Sequence, residues 1–427
     1  MDGRTVIAEL RRAGHLAYLV GGCVRDRLLG RVVKDEDVAT SARPDQVQAL
    51  FPGSLAVGAH FGVVLVGRVE VATFRSDGAY QDGRHPDEVT FEARPERDAS
   101  RRDFTINGLF LDPESGEILD FVGGQADLTS CVIRAIGDPA ARFQDDHLRL
   151  LRAVRFAARF GFEIEPETMR AMRVQAALIQ SIAAERVREE LTRMLTEGQA
   201  RRALELLDQA GLLEHVLPEV KAFQGVEQPP DYHPEGDVWT HVMRMIEGLP
   251  PGASATLAWG VLLHDVGKPG AFTRTDRIRF NGHVELGVKI ARQIGQRLRF
   301  SNADLAQVEL LVANHMRFGD VARMKESTIK RFLRLERFDE HLELHRLDCE
   351  SSHRKLENYE LMLRRFEEMA PEVLRPARLL TGADLVAAGY APGPEFKKVL
   401  AEIEDAQLDG LLTTHGPALA LAKQRLG

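Results

Sequence analysis

An α+β fold is predicted for this chain, with its β content confined to the N-terminal third and helices filling the rest. Three observations carry the prediction. Residues 1–135 alternate short amphipathic stretches with β-rich runs. From Asp145 onward the apolar spacing follows the helical period to the end. Clusters of proline and glycine break the helical part near Gln228 to Pro234, Leu249 to Ala253 and Tyr390 to Pro394.

Taken in order, "TVIAELRRAG" reads as a short amphipathic helix, "LAYLVGG" as a strand and "RPDQVQALF" as a helix. "GVVLVGRVEVATFR" reads as two β-rich runs meeting at Gly67-Arg68, a hairpin signal. "HLRLLRAVRFAARFGF" and "SIAAERVREELTRMLTEGQARRALELLDQAGLL" are long helical runs. The expected division is a mixed head over 1–135, a helical neck and body over 136–225, a helical domain over 226–350 and a helical tail over 351–427.

A chain of 427 residues is long enough for several domains, each with its own core. Its 44% hydrophobic and 28% charged content is that of a soluble globular protein. No apolar run approaches the roughly 20 residues that span a bilayer, so no membrane partner is expected. The N-terminus lacks the apolar core of a secretory signal. Cys23, Cys131 and Cys349 are odd in number and far apart, which argues against a disulfide framework and fits a cytoplasmic location. A net charge of −8 does not exclude a nucleic-acid partner, because the arginines cluster.

"YLVGGCVRDRLLGRVVKDEDVAT" combines a glycine pair, an arginine and a DxD triplet. In a strand, residues i and i+2 share a face, so Asp35 and Asp37 would present parallel carboxylates while Glu36 faces away. Such a pair suits Mg²⁺, with substrate phosphates completing its octahedron. An isolated DxD is more often a solvated turn. Here Gly21-Gly22 follows an apolar strand and precedes a helix carrying Arg25, where backbone N–H groups and a guanidinium could meet a triphosphate.

"LVGGCVRDRLLG", "KDEDVAT", "FRSDGAYQDGRHPDEVTF", "RRDFTINGLFLD" and "DDHLRLLRAVRFAARFGF" occur in an order that resembles the bacterial class II tRNA nucleotidyltransferase and poly(A) polymerase family, over roughly residues 15 to 220. The resemblance implies a palm-like head in which Asp35 and Asp37 are catalytic and bind Mg²⁺, and in which an RNA 3′-hydroxyl attacks the α-phosphorus of a nucleoside triphosphate. It further implies that Gly22 and Arg25 contact the triphosphate, that Arg102 binds nucleotide, and that Asp103 and Asn107 organise ribose and loop. Helix capping is the plainer reading of Asp103 and Asn107. The expected partners are tRNA, CTP and ATP; oligomeric state is not encoded in these motifs.

The segment Asp145-Asp146-His147-Leu148-Arg149, with Arg152 after it, resembles the family's nucleotide-selecting motif. Cytosine and adenine each offer an amine donor beside a ring-nitrogen acceptor, which matches a carboxylate that accepts and a guanidinium that donates. Guanine and uracil invert the pattern. Asp146 and Arg149 are assigned this task, with Arg152 nearby for phosphate or base. At 100° per residue, Arg149, Arg152, Arg155 and Arg159 share one helix face, and Arg155 and Arg159 are expected to meet RNA. The family usually has Glu where this chain has Asp145. The loop with Asp77, Tyr80, Asp82, Arg84 and Asp87 resembles one that influences addition of the terminal A in the family.

A second constellation runs through "THVMRM", "LLHDVGKP", "GHVELG", "ANHMRF" and "HRLDCESS". His241, His264, Asp265, His283, His315 and Asp348 form a donor set suited to a transition metal or Mg²⁺, and their order resembles the HD phosphohydrolase superfamily, as does Lys268. His241, His264, Asp265 and Asp348 are the expected ligands of this second divalent metal, whose identity stays open, with His283 and His315 lining or extending the site. The tail's "APGPEF" offers either an RNA phosphate contact or a plain helix start.

The reading is a template-independent nucleotidyltransferase adding C and/or A to tRNA 3′ ends. Its rivals are a poly(A) polymerase, an HD metal phosphohydrolase whose head merely binds nucleotide, and a non-catalytic RNA-binding protein.

Overall fold

A computed structural model describes residues 1–57, 62–78 and 89–426. The chain forms two compact units, one of residues 1–221 with 297–299 and one of residues 222–296 with 300–427.

In the first unit, α1 (Gly3–Arg12) leads to β1 (Ala17–Val20), α2 (Gly22–Leu28), β2 (Val38–Thr40), α3 (Pro44–Leu50) and the hairpin β3 (Val63–Val66) and β4 (Val69–Thr73). Gly67 turns that hairpin at φ 65°, and Val66 pairs with Val69 across it. A short pair, β5 (Arg75–Asp77) and β6 (Val89–Phe91), precedes α4 (Pro95–Arg101), β7 (Leu109–Leu111) and β8 (Ile118–Asp120). The main sheet runs β3-β4-β2-β1-β7-β8, and β2 pairs parallel with β4 while the other neighbours are antiparallel. Val20, Ala39, Phe74, Ala99 and Phe110 form the core beneath it. After α5 (Gly124–Thr129), a two-residue β9 (Val132–Ile133) leads to helices α6 (Pro139–Asp145) and α7 (Arg149–Phe160), the two-residue β10 (Glu163–Ile164), α8 (Pro166–Gln175), α9 (Ala184–Thr196), α10 (Ala200–Gln209), α11 (Leu213–Val216) and α12 (Pro218–Lys221).

The second unit holds α13 (Val238–Glu247), α14 (Ala255–Leu263), α15 (Lys268–Ala271), the small β11 (Thr273–Arg274) and β12 (Ile278–Arg279), α16 (His283–Arg297) and α17 (Asn302–Asn314). A 3₁₀ segment, His315–Arg323, is followed by α18 (Glu326–Leu333), α19 (Phe338–Ser351), α20 (Glu357–Glu368), α21 (Pro371–Leu374), α22 (Gly382–Ala387), α23 (Pro394–Leu408) and α24 (His415–Leu426). Phe318, Phe332, Phe338, Leu342 and Met362 build one core, and Leu380, Leu385, Val399, Ile403 and Ala418 build a separate one at the C-terminal end.

The architecture is the expected α+β, with three local differences. Asp35 and Asp37 lie just before β2 rather than inside a strand, although Val20 N–H donates to the Asp37 carbonyl at 3.0 Å and extends the ladder to that residue. Glu36 does turn away, accepting from Gly3 N–H at 2.9 Å. The helical run expected from Asp145 is broken at residues 146–148, where Asp146 is extended (φ −141°, ψ 105°) and its Oδ1 accepts from Leu148 N–H at 3.1 Å. A carboxylate that bonds the backbone two residues on competes with helical hydrogen bonding and makes a corner. Two small strand pairs, β9 with β10 and β11 with β12, interrupt the helical part.

Candidate functional site

The first unit carries a cleft of about 470 Å³ lined by Gly21, Gly22, Arg25, Asp37, Arg101, Arg102, Asp103, Asn107, Asp146, Arg149, Arg152, Arg155, Phe156 and Arg159. Four sequence segments therefore meet in one place. Asp35 is not among its lining residues, though its charge reaches Asp37.

At one end, β1 stops at Gly21, whose φ of 68° and ψ of −124° suit glycine. A Cβ there would also come within 3.0 Å of an Arg102 guanidinium nitrogen, so the glycine admits the arginine to the turn. Beside it, burial pushes the Asp37 carboxyl up to about 6, reinforced by Glu70 and Asp35 and opposed by Arg102. Glu70 was missed in the sequence. The β2–β4 register, Val38 with Val71, sets Glu70 alongside Asp37. Its only sequence signal is the polar position in the alternation "VEV". Converging carboxylates of this kind fit a divalent cation, since each raises the cost of ionising the others.

A hydrogen-bonded chain crosses the cleft. Arg25 Nη1 donates to Asn107 Oδ1 at 2.5 Å, Asn107 Nδ2 donates to Asp103 Oδ1 at 2.9 Å, and Arg152 Nη2 donates to Asp103 Oδ2 at 2.7 Å. Burial would raise the Asp103 carboxyl, but Arg152, Asn107 and Arg149 hold it far below the usual carboxylate range. Asp103 and Asn107 thus bond to each other, to Arg25 of α2 and to Arg152 of α7 instead of capping a helix. Arg25 is itself buried, bonded to Asp26 Oδ1 at 2.8 Å and set over the rings of Phe156 and Phe160.

At the other end, Arg149 donates from Nη1 to the Arg142 carbonyl at 3.1 Å and from Nη2 to the Arg101 carbonyl at 3.0 Å, with Asp145 at 3.5 Å. Two of its five N–H donors are spent on fixing its direction, which leaves donors for a ligand. Asp146 Oδ2 lies 3.5 Å from Arg186 of α9, a residue the sequence did not single out.

The basic face of α7 requires a correction. The sequence near Arg155 and Arg159 shows no interleaved acid, yet α9 and the residue after it supply two: Glu190 meets Arg155 at 2.6 Å, and Glu197 meets Arg159 at 3.3 Å. Arg155 is only 4% exposed, so it anchors α7 to α9 and has little surface left for RNA; Arg159 keeps a quarter of its side chain open. Partners from another helix are invisible to helical periodicity. Tyr80, Asp82, Arg84 and Asp87 lie outside the described residues.

The second unit brings together all six residues of the other constellation. His264 caps the C-terminus of α14, Asp265 follows it, His283 opens α16, His315 caps α17, and His241 and Asp348 project from α13 and α19. His264, His283 and His315 each direct Nδ1 at the carbonyl three residues upstream, at 2.9, 2.8 and 2.7 Å. A carbonyl only accepts, so Nδ1 carries the proton and Nε2 presents its lone pair. His241 directs Nδ1 toward Glu235 Oε1 at 2.7 Å and Nε2 toward Asp348 Oδ1 at 3.3 Å. All four Nε2 atoms are buried without an aligned hydrogen-bond partner, although carboxylate oxygens stand 3.1–3.8 Å away. The donor atoms of His241, His264 and Asp348 lie within 4.8 Å of one another, as do those of Asp265, His283 and His315. Inward lone pairs facing two carboxylates fit a divalent metal.

Charge follows the geometry. Burial would lower His241, but the neighbouring carboxylates of Asp348 and Glu235 carry it up to about 9. Burial presses His315 down to about 4. Burial would raise Asp265, yet His264 and Lys268 hold it well below its usual value, with Lys268 Nζ at 2.7 Å. Gly267 lets α16 approach this turn: a Cβ there would fall 2.0 Å from the His283 carbonyl. His233 and Glu235 were missed. Glu235 Oε1 is shared by both histidines, with His233 Nδ1 at 2.8 Å, and the signal was the "HPEG" just upstream of α13.

Family models for the poly A polymerase head domain, the probable RNA and SrmB-binding site of polymerase A, and the HD domain match residues 17–134, 161–224 and 236–388. A CCA-adding enzyme of Levilactobacillus brevis is 32% identical over 434 residues, spanning 98% of this chain and 96% of its own. The chain belongs to the CCA-adding enzyme family. Another relative, the multifunctional CCA protein of Neisseria gonorrhoeae, is 39% identical over 329 residues, covering 74% of this chain and 78% of its own. The crystal structure of a Bacillus stearothermophilus CCA-adding enzyme in complex with CTP matches with a TM-score of 0.75 at 27% identity, over 99% of this chain and 96% of that one. As a CCA-adding family member the chain is a tRNA nucleotidyltransferase that uses a divalent metal. Among the described residues, no helix is long and apolar enough to cross a membrane.

Proposed function

We propose that this enzyme adds C and A to the 3′ end of tRNA from CTP and ATP in the cleft of the first unit. The convergence of Asp37, Arg102, Asp146 and Arg149 on that single cleft carries the reading. Asp35 and Asp37, with Glu70 beside them, would hold Mg²⁺, which when bound neutralises charge on the phosphates and favours in-line displacement. Arg102 and the Gly21-Gly22 turn receive the triphosphate; Arg25 contributes through Asn107. Asp146 and Arg149 read the base, Arg149 being held in direction by two main-chain carbonyls. Asp103, Asn107 and Arg152 brace the wall between the two ends. In this reading the head covers 1–135, base selection falls in 136–225, and Arg159 and the tail, 351–427, meet tRNA. The test is incubation with tRNA lacking its last three, two or one nucleotides, each NTP supplied separately. Growth of one nucleotide type without a stop would instead favour a poly(A) polymerase. Asp35→Asn and Asp37→Asn should abolish incorporation.

A second activity is favoured by the four inward Nε2 atoms of the other unit. His241, His264, Asp265 and Asp348 would hold a divalent metal, with His283 and His315 extending the set, and the bound ion would lower the pKa of a water for phosphate-ester hydrolysis. Phosphomonoesters and 2′,3′-cyclic phosphates are the substrates to try, with Mg²⁺, Mn²⁺ and Ni²⁺ in turn. His264→Ala with Asp265→Ala should remove hydrolysis and spare nucleotide addition, and Asp35→Asn should do the reverse. No hydrolysis by the wild type under any of these metals would leave the second unit with a structural role or with a substrate of another class.

A further inference from the structure

Behind the cleft wall, on α4, Asp98 is 1% exposed and belongs to neither constellation. Its Oδ1 accepts from Arg101 Nε at 2.9 Å and from Arg75 N–H at 3.3 Å, and its Oδ2 accepts from Arg102 Nε at 3.2 Å and Nη2 at 3.0 Å. We propose that Asp98 is a positioning residue that sets the triphosphate end and the base-reading end of the cleft in register.

The two arginines it grips lead in opposite directions. Arg102 reaches the Gly21 turn, and its Nη1 donates to the Asn107 carbonyl at 3.4 Å. Arg101 offers its carbonyl to Arg149 at 3.0 Å and to Arg142 at 3.3 Å. One buried carboxylate therefore holds both the Arg102 guanidinium meant for phosphate and the side chain of Arg101, the residue whose main-chain carbonyl aims the guanidinium meant for the base. Its bond to Arg75 N–H ties the same carboxylate to the start of β5. Burial alone would raise the Asp98 carboxyl, but Arg102 and Arg101 outweigh it and keep it ionised. An acid that merely stabilised α4 through i,i+3 and i,i+4 pairs would serve equally well on the exposed face. This one is sequestered directly behind two residues of the cleft.

The inference rests on the reading that the cleft binds nucleotide, so the experiment includes controls for that reading. Steady-state kinetics of the full chain are measured for Asp98→Asn and Asp98→Glu against a tRNA lacking its terminal nucleotides, with Arg102→Ala and Arg149→Ala alongside. Circular dichroism melts fix a temperature at which each variant is folded. Asp98→Asn is expected to raise KM for both CTP and ATP by about tenfold and to weaken rejection of GTP and UTP, while KM for tRNA stays within about twofold. Asp98→Glu keeps the charge but moves it by one methylene, and should recover part of the loss; if the Asn variant does not fold, the Glu variant decides by the same split between nucleotide and tRNA. Unchanged nucleotide KM and selectivity in a folded variant would overturn the proposal, as would a fall in kcat and a rise in every KM that merely track the melting temperature. Wild-type nucleotide KM and selectivity in both Arg102→Ala and Arg149→Ala would overturn the cleft assignment itself. A response in those two but not at Asp98 would overturn this proposal alone.

Discussion

Asp37→Asn is expected to abolish nucleotide addition and yet to stabilise the metal-free protein at neutral pH. In the fold, burial, Glu70 and Asp35 raise the Asp37 carboxyl from 3.8 to about 6. A group whose folded pKa is raised gives its full stability when protonated in both states, and that stability is lost as pH rises through the folded value. The loss begins near 3.8 and is complete above about 6. At 1.36 kcal/mol per unit the interval corresponds to about 3 kcal/mol, and screening from the open side of the cleft reduces this to about 1–2 kcal/mol. Asparagine mimics the neutral form, so the gain should be present at pH 8 and absent at pH 3.5. For a domain of this size it amounts to a few degrees, roughly 2–4 °C per kcal/mol. Calorimetry of the full chain in EDTA at several pH values reads it directly, and added Mg²⁺ should raise the wild-type transition while leaving the variant nearly unmoved. A variant no more stable than wild type at pH 8 in EDTA would refute the argument that carboxylate crowding raises this group.

Arg149→Ala and Asp146→Ala should each cost about 10- to 100-fold in discrimination of CTP and ATP against GTP and UTP, the equivalent of about 1–3 kcal/mol for an unpaired polar group, measured as ratios of kcat/KM. Gly267→Ala should displace α16, because its Cβ would fall 2.0 Å from the His283 carbonyl and 2.6 Å from Gly287 N; bound metal, counted by elemental analysis, should drop while nucleotide addition persists. His241, raised to about 9 in the metal-free protein, should release about one proton when metal binds at pH 7.5, and affinity should climb as pH rises toward 9. Titration calorimetry in buffers of differing ionisation enthalpy counts that proton, and a count near zero would show that His241 is not a ligand.

Much of this was legible in the sequence because the decisive signals are local. The β1–Gly21–α2 turn, the Gly67 hairpin and the order of the HD-type residues depend on near neighbours or on spacing; the structure gathers Gly22, Arg25, Asp37, Arg102, Asp146 and Arg149 in one cleft without Asp35, and the six HD-type residues in another place. What escaped depends on pairing between distant segments. Glu70 acquires its meaning only from the parallel register of β2 and β4. Glu190, 35 residues from Arg155, turns an apparent RNA-binding arginine into an internal anchor. The corner at Asp146 was hidden because the apolar period of α7 gives no sign that a side chain two residues back has captured the backbone. Glu235 was passed over because nothing in "HPEG" shows that its carboxylate will lie between two imidazoles.

The cage of the second unit is wired into the ends of its helices. His264 and His315 stand where α14 and α17 stop, and each spends its Nδ1 proton on a carbonyl three residues upstream, in the last turn of that helix. The choice of ring nitrogen offered to an ion is therefore written in the position of a helix terminus and not in the identity of the ligand. Insertion or deletion of one residue in the last turn of α14 would leave every histidine and aspartate of the motif in place and in order, yet rotate the imidazole away from its carbonyl and turn the wrong atom inward. A homologue could keep the whole signature and have lost the site, and the length of the helix before each histidine is the feature that would reveal it.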